Sequence, residues 1–379
     1  MSRILVDQVR SNSASSDALT LDGSGNITVP GNITLSGNAT LSGTATGFPK
    51  GKATNLVING AMQVAQRGTS STTNGYGSVD RFEITFTGTD ENPTQSQVDV
   101  ASGTTPYTLG FRKALKITNG NQTSGFGASD HIRADTKVEA QDLATSGWNF
   151  KSSSSYITLS YWVKSSVAQE FFGYLYMDDT PYKYGWSLGS LSADTWTKIT
   201  VTIPGNSNLA VNNDNGAGCW LNLLGIWGTD KTASDAAPNT WVAWDGAKRS
   251  TDQATTWYTT NDATFEITGV QLEVGDSATD FEHVSIGDEL LKCQRYYFKE
   301  TATYYAGLGY GTNSNINCLG VLQQPCVMRA TPTATLGSAT YWSGTVSGGG
   351  QSASYSFVYG QAAQAAGPRL AGYELSAEL

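Results

Sequence analysis

Residues 156–163 read YITLSYWV, residues 196–203 read WTKITVTI and residues 264–270 read TFEITGV. In each, apolar and polar side chains alternate with the period of two that marks an extended strand with one buried face. β-Branched and aromatic residues fill these segments, and Gly, Asn, Asp and Ser dominate the stretches between them. Short strands separated by such loops predict a β-sandwich, of jelly-roll type. Trp162 and Trp196 fall inside the strand patterns and are read as core.

Composition agrees with a mainly β fold. Only 15% of the 379 residues are charged, against 42 Gly, 18 Tyr, 12 Phe and 10 Trp. That mixture favours short strands and tight turns over long helices. The chain is long enough for two or three domains that each bury a core without disulfide or metal staples. With a net charge of −9 and no Lys/Arg cluster, the sequence argues against nucleic acid as a partner. The opening MSRILVDQVR lacks the apolar core of a secretory signal, and no stretch approaches the roughly 20 apolar residues of a membrane span. Synthesis and folding in a cytoplasm, without membrane insertion, is the expectation. Cys219, Cys293, Cys318 and Cys326 have no zinc-type spacing and read as buried thiols, with a Cys318–Cys326 bridge across a hairpin as the alternative.

A six-residue repeat runs through the N-terminal region as GNITVP (25–30), GNITLS (31–36) and GNATLS (37–42), after which Gly43 begins GTATG. Ile27 and Val29, Ile33 and Leu35, and Ala39 and Leu41 recur on one face of an extended chain. One narrow strand cannot bury that face, whereas three parallel copies turned to a common axis can, so the repeat predicts a homotrimeric β stalk. A flexible Gly/Ser/Thr linker is the alternative. The Asn-x-Thr triplets keep step with the repeat and read as turn chemistry. GFPKG at 47–51 marks a break into the next region.

One helix interrupts the β pattern. Ser285 and Asp288 are spaced as a capping box, and Ile286, Leu290, Cys293 and Tyr297 fall on one face, predicted to dock between domains. The resulting division is an N-terminal segment and stalk over 1–50, a jelly roll over 51–283, a connecting helix over 284–299 and a C-terminal β domain over 300–379.

Residues 55–68 (NLVINGAMQVAQRG) with VDRF at 79–82 resemble the opening of a widespread group of phage tail fibre and virion proteins. Residues 264–297, from TFEITGVQLEVG to the CQRYY run, are similar to that group's closing strand, its acidic turn and its helix. ILVDQVRSNSASSDALTLDGSGNITV at the start resembles virion-proximal fibre segments of marine or cyanobacterial phages. The resemblance implies a homotrimeric fibre in the virion, attached through its N-terminus to phage tail or baseplate proteins. Its middle domain would be similar to carbohydrate-binding-module jelly rolls and its target a bacterial surface glycan. Within the matched stretches Gln271, Leu272, Glu273, Arg295 and Tyr296 look structural.

Catalysis finds little support. His131 and His283 are the two histidines, and neither sits in a recognisable catalytic arrangement. Asp178 and Asp179 in YMDDTPY read as a turn before Pro181, because adjacent side chains of an extended chain point apart. A glycosidase needs two carboxylates at a set separation across a groove. The expectation is therefore a non-enzymatic adhesin, with a tailspike-like depolymerase and a purely structural decoration fibre as alternatives. No cofactor is predicted. A structural calcium, which the jelly-roll resemblance implies, has Glu266, Glu273 and Asp276 as candidate ligands, though they lack EF-hand spacing.

Aromatic residues point to binding, since sugars stack their C–H faces on exposed rings while polar side chains bond their hydroxyls. Trp241, Trp244 and Trp257 lie in the long excursion between the strand-like 219–226 and 264–270, and large rings there serve either a local core or a ligand. Tyr310, Tyr341 and Trp342 flank Gly-rich turns and form a second candidate surface, at the end expected to lie farthest from the virion.

Overall fold

A computed structural model describes residues 54–305 together with 8–9, 19–21, 27–28, 307–308, 316–340, 342–348, 352–354, 356–362 and 369–379. Chain contacts divide the molecule into Met1–Pro49 and Lys50–Leu379. In the first unit Gln8–Val9, Leu19–Leu21 and Ile27–Thr28 pair as a small antiparallel sheet. Ile27 is 59% exposed there, and the rest of the repeat, residues 29–46, lies outside the described residues.

The alternating segments form the predicted sandwich of two six-stranded sheets. The front sheet runs Trp241–Ala243, Tyr182–Leu191, Gln169–Met177, Ala217–Trp227, His131–Glu139, Phe82–Thr87. The back sheet runs Thr197–Pro204, Tyr156–Ser165, Thr264–Val274, Lys113–Thr118, Thr94–Asp99, Ser70–Ser71. Neighbouring strands are antiparallel, and the chain crosses repeatedly between the sheets, the winding of a jelly roll. Ile157, Leu159, Tyr161 and Val163 of YITLSYWV face inward and meet Phe171, Leu175, Leu221 and Ile226 from the front sheet. The Tyr161 hydroxyl, deep in this core, accepts a hydrogen bond from Trp186 Nε1 at 3.1 Å, so its burial leaves no polar cost.

Trp162 and Trp196 are not part of that core. Inward positions of Tyr156–Ser165 are odd-numbered, so Trp162 emerges on the outer face and joins Trp196 on a satellite cluster of Val100, Phe111 and Ala114. The cap of the helix Ile286–Gln294 forms as read: Ser285 Oγ accepts from the Asp288 amide at 3.2 Å and donates to its carboxylate. Its docking face holds in part: Cys293 and Tyr297 are buried and Leu290 half-buried, but Ile286 is 59% exposed, and Glu289 and Tyr296 join the buried line. Glu289 turns inward because the buried backbone amide of Asn59 needs an acceptor, which its carboxylate supplies.

The stretches that carry the family resemblance, some 200 residues apart, fold onto one another. Asn55 accepts from the Leu272 amide and donates to the Val270 carbonyl, both at 3.0 Å. Gly60 packs so closely there that a Cβ would sit 2.0 Å from the Val270 oxygen. Gln271 donates to Glu273, whose carboxylate accepts the Thr279 amide and hydroxyl and so fixes the turn after the closing strand. The Arg67 and Arg81 guanidinium groups each lie 3.5 Å over a ring, Tyr297 and Tyr296 respectively, and both pair with Glu378.

Beyond the helix, Tyr297–Tyr305 and Thr333–Leu336 flank Arg369–Ser376 in one sheet, and Gly307–Leu308, Ile316–Leu322, Ser356–Ala362 and Trp342–Gly348 form another. Leu322, Met328, Leu370, Tyr373 and Leu375 give this region a small core of its own. Its far end returns to the sandwich: Lys137 Nζ donates to the Leu379 carbonyl at 2.6 Å, and Arg329 to the Asn215 carbonyl at 2.7 Å. Leu379 is therefore packed against the sandwich. Cys219, Cys293 and Cys326 are free thiols, the first two buried, and the side chain of Cys318 lies outside the described residues.

Candidate functional site

The two faces of the front sheet differ in kind. Inward residues are aliphatic or aromatic core, while the outer face of its central strands carries His131, Arg133, Asp135 and Lys137, then Trp220, Asn222 and Trp227, then Tyr174 and Tyr176. A register shift between Asn222 and Leu224 breaks strict alternation, so Leu221, Leu223 and Leu224 all reach the core while Asn222 stays outside. Asn222 Nδ2 holds the irregularity by donating to Leu224 O and to Asp135, both at 2.9 Å. The indole of Trp227 lies flat over Gly225, where an added Cβ would meet Nε1 at 2.1 Å. Any larger residue at 225 would lift the ring.

These rings form a continuous stripe. Trp220 meets Tyr176 edge-on at 6.0 Å, Tyr176 meets Trp244 at 4.8 Å, Trp244 meets Tyr174 at 5.6 Å, and Tyr174 and His131 stack on Trp227 at 6.2 and 5.6 Å. From Trp220 to Trp227 the stripe follows seven residues of strand, about 20 Å. Trp220, Tyr176 and Trp244 are half-buried, and Tyr174 and Trp227 are buried beneath their neighbours. The docked Leu379, bonded to Lys137, closes one end. At the other, residues 244–253 fold over the sheet, and Lys183 Nζ, buried, anchors that loop through the Lys248 and Arg249 carbonyls.

Polar groups along the stripe are incompletely satisfied. Trp220 Nε1, Trp227 Nε1 and Asn222 Oδ1 have no hydrogen-bond partner among the described residues. Arg133 pairs with Asp135 at 3.0 Å and Lys137 with Glu83 at 3.2 Å, while Lys137 Nζ also lies 4.1 Å over the Trp220 ring. Arg249 covers Trp227 at 4.6 Å and Trp244 at 5.6 Å, and forms no ion pair among the described residues. Burial, reinforced by Arg133, Lys231 and Arg249, holds the His131 pKa down to about 4, so the ring is neutral near pH 7. Burial also lowers Lys183 to about 8, and it depresses Arg249.

The sequence candidates separate. Trp244 belongs to the stripe. Trp257 is fully buried, its Nε1 donating to the Thr264 carbonyl at 3.0 Å. Trp241 packs against the core beside Tyr184 and donates to the Pro204 carbonyl at 2.7 Å. Tyr310 and Tyr341 lie outside the described residues, as does the side chain of Trp342, whose backbone opens the strand Trp342–Gly348. Glu266 pairs with Lys164 at 3.0 Å, Glu273 is buried in its turn, and Asp276 is exposed. They do not converge, and among the described residues no group of three or more acids, His or Cys is placed to hold a metal. Asp179 accepts from the Asn212 amide at 2.8 Å in the predicted turn. His283 lies 2.9 Å from the Leu109 carbonyl. Sequence reading missed Trp220, Tyr174, Tyr176, Trp227 and Arg249, although the aromatic run 171–176 (FFGYLY) was a usable signal.

No family model and no curated protein matches the chain. Among solved structures it is similar to the enzymatically active domain of tailspike protein 4 from bacteriophage CBA120, at 10% identity and a TM-score of 0.32, over 58% of this chain and 21% of that one. The match thus spans about a fifth of that domain's length. A putative sugar binding protein from Bacteroides thetaiotaomicron aligns at 12% identity and a TM-score of 0.30, over 59% of this chain and 100% of that one. The family 11 carbohydrate-binding module from Clostridium thermocellum, in complex with a mixed-linked tetrasaccharide, aligns at 10% identity and a TM-score of 0.25, over 57% and 98%.

Proposed function

We propose that this chain is a phage tail fibre subunit that adheres to a bacterial surface by binding glycan along the aromatic stripe of its front sheet. The observation that carries the binding reading is the stripe itself. Half-buried rings alternate there with polar groups that the protein leaves without partners, and a pyranose offers both the C–H faces and the hydroxyls to complete them. The fibre assignment rests on the resemblance of residues 4–29, 55–68 with 79–82, and 264–297 to virion proteins. An exposed Ile27 in a one-sided repeat supports trimerisation through the N-terminal unit, which would multiply weak single-site affinities. We further propose binding without turnover, because the stripe's carboxylates are each tied up in an ion pair, Asp135 with Arg133 of its own strand and Glu83 with Lys137 of the next.

The test is adsorption of the purified chain to host surface polysaccharide, with Trp220→Ala and Tyr176→Ala as variants. Loss of binding at an unchanged unfolding temperature supports the stripe. Normal binding by both variants refutes it. Release of reducing ends during incubation would refute the non-catalytic part.

A further inference from the structure

Uncompensated positive charge gathers at the Trp227 end of the stripe. Lys183, Lys231 and Arg249 form no ion pair among the described residues, in a chain whose net charge is −9. Two of the three are already committed to backbone: Lys183 Nζ to the 248 and 249 carbonyls, and Lys231 Nζ to Ser129 O at 2.6 Å. Arg249 is different. Its Nε donates weakly to Gly246 O at 3.3 Å, which leaves the Nη groups of the fork over the Trp227 and Trp244 rings.

The nearby carboxylate of Asp135 is not available to neutralise it, since Arg133 and Asn222 hold that group. Trp227 Nε1, Asn222 Oδ1 and His131 Nδ1 also lack hydrogen-bond partners among the described residues. A half-buried guanidinium stacked on aromatic rings and stripped of a carboxylate is an expensive arrangement, and a ligand anion in bidentate contact would relieve it.

Resting on the glycan reading above, we infer that the stripe selects an acidic saccharide, with Arg249, backed by the buried Trp227, receiving the sugar's carboxylate while the half-buried Trp244 takes its ring. The loop carrying Arg249 is fixed from below by Lys183, so the fork is held in place before ligand arrives. Burial depresses Arg249, so a carboxylate brought against it would be favoured over water.

A glycan array holding acidic and neutral members tests the inference, followed by titration of the best binder before and after its carboxylates are reduced to alcohols. The expected result is acidic hits, a loss of about tenfold or more on carboxyl reduction or in Arg249→Gln, and a partial loss in Arg249→Lys, which keeps charge but not the fork. Affinity should also fall with added salt. Neutral hits that Arg249→Gln binds as tightly as the parent overturn the acidic selectivity and leave the stripe reading standing. An array with no hit at all, from a folded protein, overturns the stripe reading and this inference with it.

Discussion

Two arginine-on-aromatic stacks lie at opposite ends of the strand His131–Glu139, and they differ in how their charge is met. At the Lys137 end Arg81 sits on Tyr296, 1% exposed, with its charge met by Glu378 and a further bond to the Lys137 carbonyl. At the His131 end Arg249 sits on Trp227 with no carboxylate. The first stack is closed: it fastens the last residues of the chain to the sandwich and joins the two stretches of virion-protein resemblance. The second is left open. Cation over aromatic ring is thus not in itself a sign of binding; the two stacks differ in whether the protein supplies the counter-charge.

A large effect should come from breaking the closed stack. Arg81→Met removes one of the two arginines that pair with Glu378, together with the bond to the Lys137 carbonyl, and chemical denaturation should register a loss of about 3 kcal/mol. Adding Glu378→Gln should cost less than it does in the parent, because only the Arg67 pair is then left to lose.

Trp257→Ala against Trp220→Ala sharpens the contrast between core and stripe. The first empties a fully buried site and should cost about 3–5 kcal/mol of stability. The second should change unfolding by under about 1 kcal/mol while adsorption is lost. Equal destabilisation by both would mean that the stripe is core.

Arg249→Gln is the sharpest way to break the comparison, since the parent residue has no ion pair to lose. Its expected stability change is within about 0.5 kcal/mol. A loss like that of Arg81→Met would make the second stack structural too.

The smallest effect concerns pH. His131 is neutral in the folded chain down to about 4, whereas the unfolded ring takes a proton near its ordinary 6.5. The unfolded state therefore binds more protons in that window, and stability falls as pH drops from 6.5 towards 4. For a half-buried ring the contribution is about 1 kcal/mol. Asp80 works in the opposite direction: burial raises it to about 6, so its contribution is greatest at low pH and is lost as pH rises through that value. The His131 term is isolated by comparing His131→Gln with the parent at pH 4.5 and pH 7. The variant should show the smaller acid-side loss.

By itself, the sequence determined what depends on near neighbours. Period-two alternation defined the strands that build the sandwich, and Ser285 with Asp288 defined where the helix begins, because a cap is a contact across three residues. Asp178 and Asp179 were legible as a turn for the same reason. The docking face of the helix was legible only in part, since what turned Glu289 inward and left Ile286 in solvent was an amide of Asn59, 230 residues away.

The stripe likewise waited on tertiary structure. Its strands carry large apolar rings on both faces, so alternation could not say which face Tyr174, Tyr176, Trp220 and Trp227 occupied, and the irregularity at Asn222 shifted the parity midway. Trp241, Trp244 and Trp257 shared one loop and one chemistry, yet two were claimed by the core and one by the surface. Strand pairing decided that, by setting Gln169–Met177, Ala217–Trp227 and His131–Glu139 side by side and folding residues 244–253 over them. Local pattern fixes which residues can be buried; only the packing of distant strands chooses which rings are left facing out, and which charges are left without a partner.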